Sequence, residues 1–220
     1  MVENNNKKKT FWEAFVITAL VFILGLLIGV FMESSRLDKF EELYMESEIS
    51  LTDYFALSQL STNEEKNCEA IIELNLNFAD KIYSDALLLE KYEESNSLTR
   101  DLELLHKKYD VLRTLLWINT INSLRECETN FSTVVFLYEF RTKDLNKKAE
   151  NEVWGKILFD LKQEEAENIL LIPIAVDGDS SSIEYLTERL NITKYPSVVI
   201  DETKVIEEII SVEELKFFLK

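Results

Sequence analysis

Hydrophobic residues along this chain change their spacing from one region to the next, and each spacing predicts a different kind of element. From Ala14 to Met32 the apolar positions are continuous and uncharged, with Trp12 at the edge of the run. At about 1.5 Å rise per residue, such a helix matches the roughly 30 Å hydrocarbon core of a bilayer. The run is read as a transmembrane helix over 14–32, preceded by a short tail over 1–13. A cleaved signal peptide is the competing reading, but its apolar region is shorter and ends in small residues. Gly29-Val-Phe-Met-Glu-Ser-Ser35 fits that description poorly.

Residues 33–128 contain neither proline nor glycine, so the usual helix breakers are missing and long helices are expected. Leu37, Phe40, Tyr44, Leu51 and Tyr54 form one apolar stripe near heptad spacing. Ile71, Phe78, Ile82, Ala86 and Leu89 form a second, and Leu98, Leu102, Leu105, Tyr109, Leu112 and Leu116 a third. Breaks fall at Ser61-Thr62-Asn63, where Ser61 with Glu64 or Thr62 with Glu65 suits a capping box, and at Glu94-Ser-Asn-Ser97. The segment is expected to be a three-helix stalk or bundle containing an antiparallel helical hairpin.

From residue 129 onward the pattern alternates between strand and helix. Thr133 to Phe140 and Ile169 to Val176 are short apolar runs suited to buried strands. Between them, Asp144 to Glu165 places Leu145, Ala149, Val153, Ile157, Leu158 and Leu161 at helical spacing, and Ser180 to Leu190 does so with Ile183, Leu186 and Leu190. A strand opened by Pro196 in the stretch Asn191 to Asp201, the alternating run Lys204 to Ile210 and a short C-terminal helix complete the order. Strand, helix, strand, helix, strand, strand, helix predicts parallel pairing in the first half and a hairpin in the second. The expected fold class is therefore α+β multidomain: a transmembrane helix over 14–32, a helical stalk over 33–128 and an α/β domain over 129–220.

Pro196 is one of two prolines, and Tyr195-Pro196 stands at the start of a strand, where a proline removes no ladder hydrogen bond. With this proline, the hairpin and the last helix, residues 131–220 resemble the thioredoxin-like superfamily. The resemblance implies a cis proline beside a redox dithiol. An ordinary trans proline at a strand edge in another α/β domain is the alternative. Where the family carries its cysteines, this chain reads Phe140-Arg-Thr-Lys-Asp-Leu145. Thiol–disulfide exchange needs an attacking thiolate, so dithiol chemistry at that position is excluded and no enzymatic activity is expected. What the resemblance leaves is the loop before the proline, Thr193, Lys194, Tyr195 and Pro196, which in the family offers its backbone to an extended peptide. Tyr195 would be the contact residue, or a packing residue.

The chain has only two cysteines. If the second and third predicted helices fold back about Asn96-Ser97, Cys68 and Cys127 lie at equal distance from the turn, so a disulfide between them is expected to close the open end. Two free thiols are the alternative. A further one is a disulfide-exchange pair serving a partner oxidoreductase, although cysteines on separate helices lack the close spacing that lowers a thiol pKa. A disulfide suits an oxidising compartment, as do the sequons Asn130-Phe-Ser132 and Asn191-Ile-Thr193. Lys7, Lys8 and Lys9 precede the apolar run and Arg36 and Lys39 follow it. This placement favours a cytoplasmic N-terminus and an extracytoplasmic C-terminal domain on a single-pass signal anchor in the cell membrane. Gly25 and Gly29 give one face of that helix the small-xxx-small spacing of a homodimer contact.

Charge narrows the partners further. Asp and Glu number 41 against 24 Lys and Arg, a net charge of −17, which disfavours nucleic acid and leaves an unidentified protein as the expected partner. His106, the one histidine, is read as a solvated side chain. No cofactor or metal is expected, because no cluster has ligand spacing and four glycines make no phosphate loop.

Overall fold

The computed structural model describes residues 3–60, 68–95, 100–124, 127 and 129–220. The candidate capping residues Ser61, Thr62, Glu64 and Glu65 and the turn at Asn96-Ser97 lie outside the described residues. Contacts divide the chain into two units, Met1–Glu42 and Leu43–Lys220.

In the first unit, helix α1 (Glu3–Leu60) begins and carries an apolar stretch, Phe11–Met32, long enough to cross a membrane or to serve as a signal anchor. The stretch starts three residues earlier than the sequence reading because Phe11 and Trp12 extend it past Glu13. Its one hydroxyl, on Thr18, donates to the Ala14 carbonyl at 2.9 Å. A Cβ added at Gly25 or Gly29 would meet nothing within 4 Å.

In the second unit, residues 43–60 of α1 continue alongside α2 (Cys68–Ser95) and α3 (Arg100–Leu124). Ile71, Phe78 and Ile82 of α2 and Leu105, Tyr109, Leu112, Leu116 and Trp117 of α3 are buried, as is Leu51. Polar groups join the helices as well. The Ser47 hydroxyl donates to Asp85 at 3.1 Å, and the Thr120 hydroxyl lies 2.8 Å from the Asn75 side-chain oxygen. Cys68 and Cys127 form a disulfide, with Cα atoms 5.9 Å apart. Moving forward along α2 from Cys68 to Asn75 matches moving back from Cys127, three residues past the end of α3, to Thr120 within it, so the two segments run in opposite directions where they meet.

The sheet follows: β1 (Ser132–Tyr138), β2 (Ile169–Ala175), β3 (Ser197–Ile200) and β4 (Lys204–Ile206), in the spatial order β2-β1-β3-β4. β1 pairs parallel to β2 and antiparallel to β3, and β3 pairs antiparallel to β4. β1 and β3 are buried on both faces, which is why they read as continuous apolar runs. Pro173 is tolerated because β2 is an outer strand. The Tyr195–Pro196 peptide bond is cis.

One face of the sheet packs on α4 (Leu145–Glu165) and α6 (Val212–Lys216) through Val134, Phe136, Trp154, Leu158, Leu161 and Leu215. The first half of α4 corrects the sequence reading. Leu145, Ala149 and Val153 are exposed, and the core-facing row is Trp154, Leu158 and Leu161 at helical spacing. Asp144 caps this helix, its carboxylate accepting from the Asn146 amide at 2.9 Å. Helix α5 (Ser181–Arg189) buries Ile183 and Leu186. The expected alternation over 204–210 ends at Ile206, because Ser211 opens α6 with a capping box: its hydroxyl accepts from the Glu214 amide at 3.3 Å and its own amide donates to Glu214 at 2.9 Å. Ser211→Ala is expected to lower stability by about 1 kcal/mol, read as an earlier urea midpoint at unchanged slope.

Candidate functional site

The carboxyl ends of β1 and β2 are where ligands bind in open α/β sheets, and the proline loop comes to the same end. Leu137 lies opposite Ser197, so Pro196 adjoins the segment in which β1 gives way to the turn Phe140–Asp144. Thr193 and Lys194 are exposed, Tyr195 is half-buried, and Pro196 and Ser197 are buried. The Ser197 hydroxyl has no hydrogen-bond partner among the described residues. This loop is thus accessible through Thr193 and Lys194 and fixed through Pro196.

The turn that stands in the dithiol position is held by its neighbours. The Asp177 carboxylate accepts from the Phe140 amide at 3.0 Å and from the Arg141 amide at 2.7 Å. Helix α3 reaches over the same turn. The His106 ring stacks on Phe140 with centroids 3.9 Å apart, Arg141 pairs with Glu103 at 3.0 Å, and Lys107 donates to the Asp179 carbonyl at 2.9 Å. About 10 Å³ remains among these groups, room for one water at most. His106, expected to be solvated, is instead sandwiched between α3 and the β1–α4 turn, with 17% of its side chain exposed.

Deeper on α3, the Asp110 carboxylate closes the edge of β2. Val176 donates its amide to Tyr138 of β1 at 2.8 Å, so the preceding amide, that of Ala175, points outward from the sheet. It is accepted by Asp110 Oδ1 at 3.1 Å. Arg113 Nη1 lies 3.3 Å from the same oxygen, and His106 Nε2 lies 3.5 Å from Oδ2. Burial pushes the Asp110 carboxyl above the ordinary range, and Arg113, His106 and the Ala175 amide oppose that shift. At the preceding residue, burial likewise raises the Tyr109 phenol, aided by the charge of Asp85.

The structure therefore places the loop before Pro196 at the carboxyl end of β1 and joins Cys68 to Cys127. It also adds Glu103, His106, Lys107, Asp110 and Arg113 of α3, which sequence reasoning missed. The Asp110–Arg113 spacing was the available signal, but a charge pair at that interval looks the same on a solvated helix face. Among the described residues, no three metal-ligating side chains cluster. No family model, curated protein or solved structure matches the chain.

Proposed function

We propose that the chain is a single-pass membrane protein displaying a redox-inactive thioredoxin-like domain outside the membrane, where it binds or scaffolds another protein. The observation that carries this reading is the strand order β2-β1-β3-β4, with Pro196 opening β3 beside a β1–α4 turn made of Phe140, Arg141, Thr142, Lys143 and Asp144. A fold of this order with cysteines at that turn would do dithiol chemistry. Here the turn holds no thiol, its amides are taken by Asp177, and α3 fills the space above it.

The surface left for recognition is the backbone before the proline. A partner strand lying along Thr193, Lys194 and Tyr195 would gain main-chain hydrogen bonds. Anchoring through Phe11–Met32 with the N-terminus inside agrees with the disulfide, which persists in an oxidising compartment. The purified chain is expected to show no insulin disulfide reduction above the uncatalysed rate. Turnover that disappears on replacing Cys68 or Cys127 would overturn the reading in favour of an exchange pair.

A further inference from the structure

Between α2 and α4 an apolar groove of about 570 Å³ lies over β1 and β2, with Leu171 in its floor. Its rims carry large apolar side chains that the chain itself leaves open to solvent: Tyr83 and Leu87 on α2, each 45% exposed, and Phe159 on α4, 52% exposed. Exposed apolar groups on both walls of one groove mark an interaction surface rather than scattered surface residues.

Gly155 makes the groove more specific. It sits inside α4, lines the groove, and has no positive φ that would require glycine. A Cβ built there meets nothing within 4 Å. Glycine is disfavoured in a helix interior, and among the described residues neither a positive φ nor a close neighbour calls for it here. A notch of this kind lets another backbone approach closely.

One end of the groove is acidic. It continues, through the shared residues Leu76, Asp80 and Lys162, into a second hollow of about 480 Å³. Glu69, Glu73, Asp80 and Glu167 surround that end, are all exposed, and make no salt bridge among the described residues. Among the described residues the cation lining that end is Lys162, which turns inward to the carbonyls of Ala166 and Ile169 at 2.6 and 3.0 Å.

We propose that this groove docks an amphipathic helix of another protein, its apolar face between α2 and α4 and its lysine or arginine residues at the end formed by Glu69, Glu73, Asp80 and Glu167. The acidic end selects against anionic lipid headgroups. It also selects against a second copy of this chain, whose net charge is −17. An apolar helical face meeting a groove is an established mode of recognition, and the Gly155 notch supplies its closest approach. This surface is separate from the proline loop and does not depend on it.

The test uses the full chain in phosphatidylcholine nanodiscs with p-benzoylphenylalanine at position 159 or, in a second variant, at position 87. The probe is a synthetic helical peptide with a leucine and alanine face and three lysines at one end. Photocrosslinking to this probe is expected, with a yield at least tenfold lower for an otherwise identical peptide ending in glutamates. Gly155→Phe, whose Cβ meets nothing within 4 Å and whose ring occupies the notch, and the exposed pair Glu73→Lys with Asp80→Lys are each expected to cut the yield at least tenfold while the Cys68–Cys127 disulfide stays intact. Equal yields for the two peptides, or a yield indifferent to Gly155→Phe, would overturn the proposal. So would crosslinks that run to lipid or to a second copy of the chain in place of the probe.

Discussion

Asp110→Ala is expected to destabilise the second unit by about 3–5 kcal/mol, the cost of breaking a buried ion pair from one side. Asp110 is 1% exposed and Arg113 7%. Removing the carboxylate strands the Arg113 guanidinium without its counter-charge and leaves the outward amide of Ala175 without an acceptor. Asp110→Asn keeps an acceptor for that amide and loses only the charge, so a smaller loss is expected. Asp110→Ala combined with Arg113→Met removes both charges, and part of the lost stability should return, because apolar replacement of a whole buried pair is often close to neutral. Urea unfolding of the native chain, Asp110→Ala, Arg113→Met and the double variant, followed by far-ultraviolet circular dichroism, gives the cycle. Losses that simply add would show that the pair is not coupled.

The same carboxyl sets a pH dependence whose sign follows from burial. Its folded pKa is raised above the ordinary 3.8, so the folded state binds the proton more tightly than the unfolded state. Its contribution to stability is complete below 3.8 and is lost as pH rises through the folded value. The difference in stability between the native chain and Asp110→Asn should therefore shift against the native chain as pH increases through that window. Comparing the two variants at each pH removes the background from other carboxylates.

Loss of the disulfide is the second large effect. Cys68 and Cys127 are separated by 59 residues, and a closed loop of that length contributes about 4 kcal/mol in the chain-entropy account. Cys68→Ser with Cys127→Ser should lower the unfolding free energy by that amount, and reductant should lower the native chain's unfolding midpoint to that of the double variant while leaving the double variant unmoved. The antiparallel contact of α2 and α3 would survive in the folded state, since Asn75, Thr120 and the buried Ile71 and Leu116 hold it independently. Alkylation without reductant should label neither cysteine. Two labelled thiols in the native chain would remove the staple.

The parts of this fold that could be read in advance are those where one physical signal dominates. Continuous apolar residues in β1 and β3 mark strands buried on both faces. The chain's two cysteines mark a pair, and they are bonded to each other. The absence of breakers lets α1 continue beyond the apolar stretch to Leu60.

What was not legible depends on contacts between distant elements. Nothing local distinguishes Asp110, which caps the open edge of β2, from a solvated helix carboxylate, or His106, which stacks on Phe140, from a surface histidine. In α4 the apolar residues Leu145, Ala149 and Val153 offered a face as plausible by spacing as the true one, and Trp154 with Leu158 and Leu161 won because they meet Phe136 and Ile169 of the sheet. The candidate site follows the same division. The proline loop could be named from Tyr195-Pro196, while the helix that fills the space over the neighbouring turn is a consequence of tertiary packing.

The central claim is that one anchor holds this domain on the outer side of the membrane, and protease access to intact cells tests it most directly. With one epitope placed before Met1 and another after Lys220, externally added protease should remove the C-terminal epitope and leave the N-terminal one until the cells are permeabilised. Loss of the N-terminal epitope alone, or protection of both, would contradict the account.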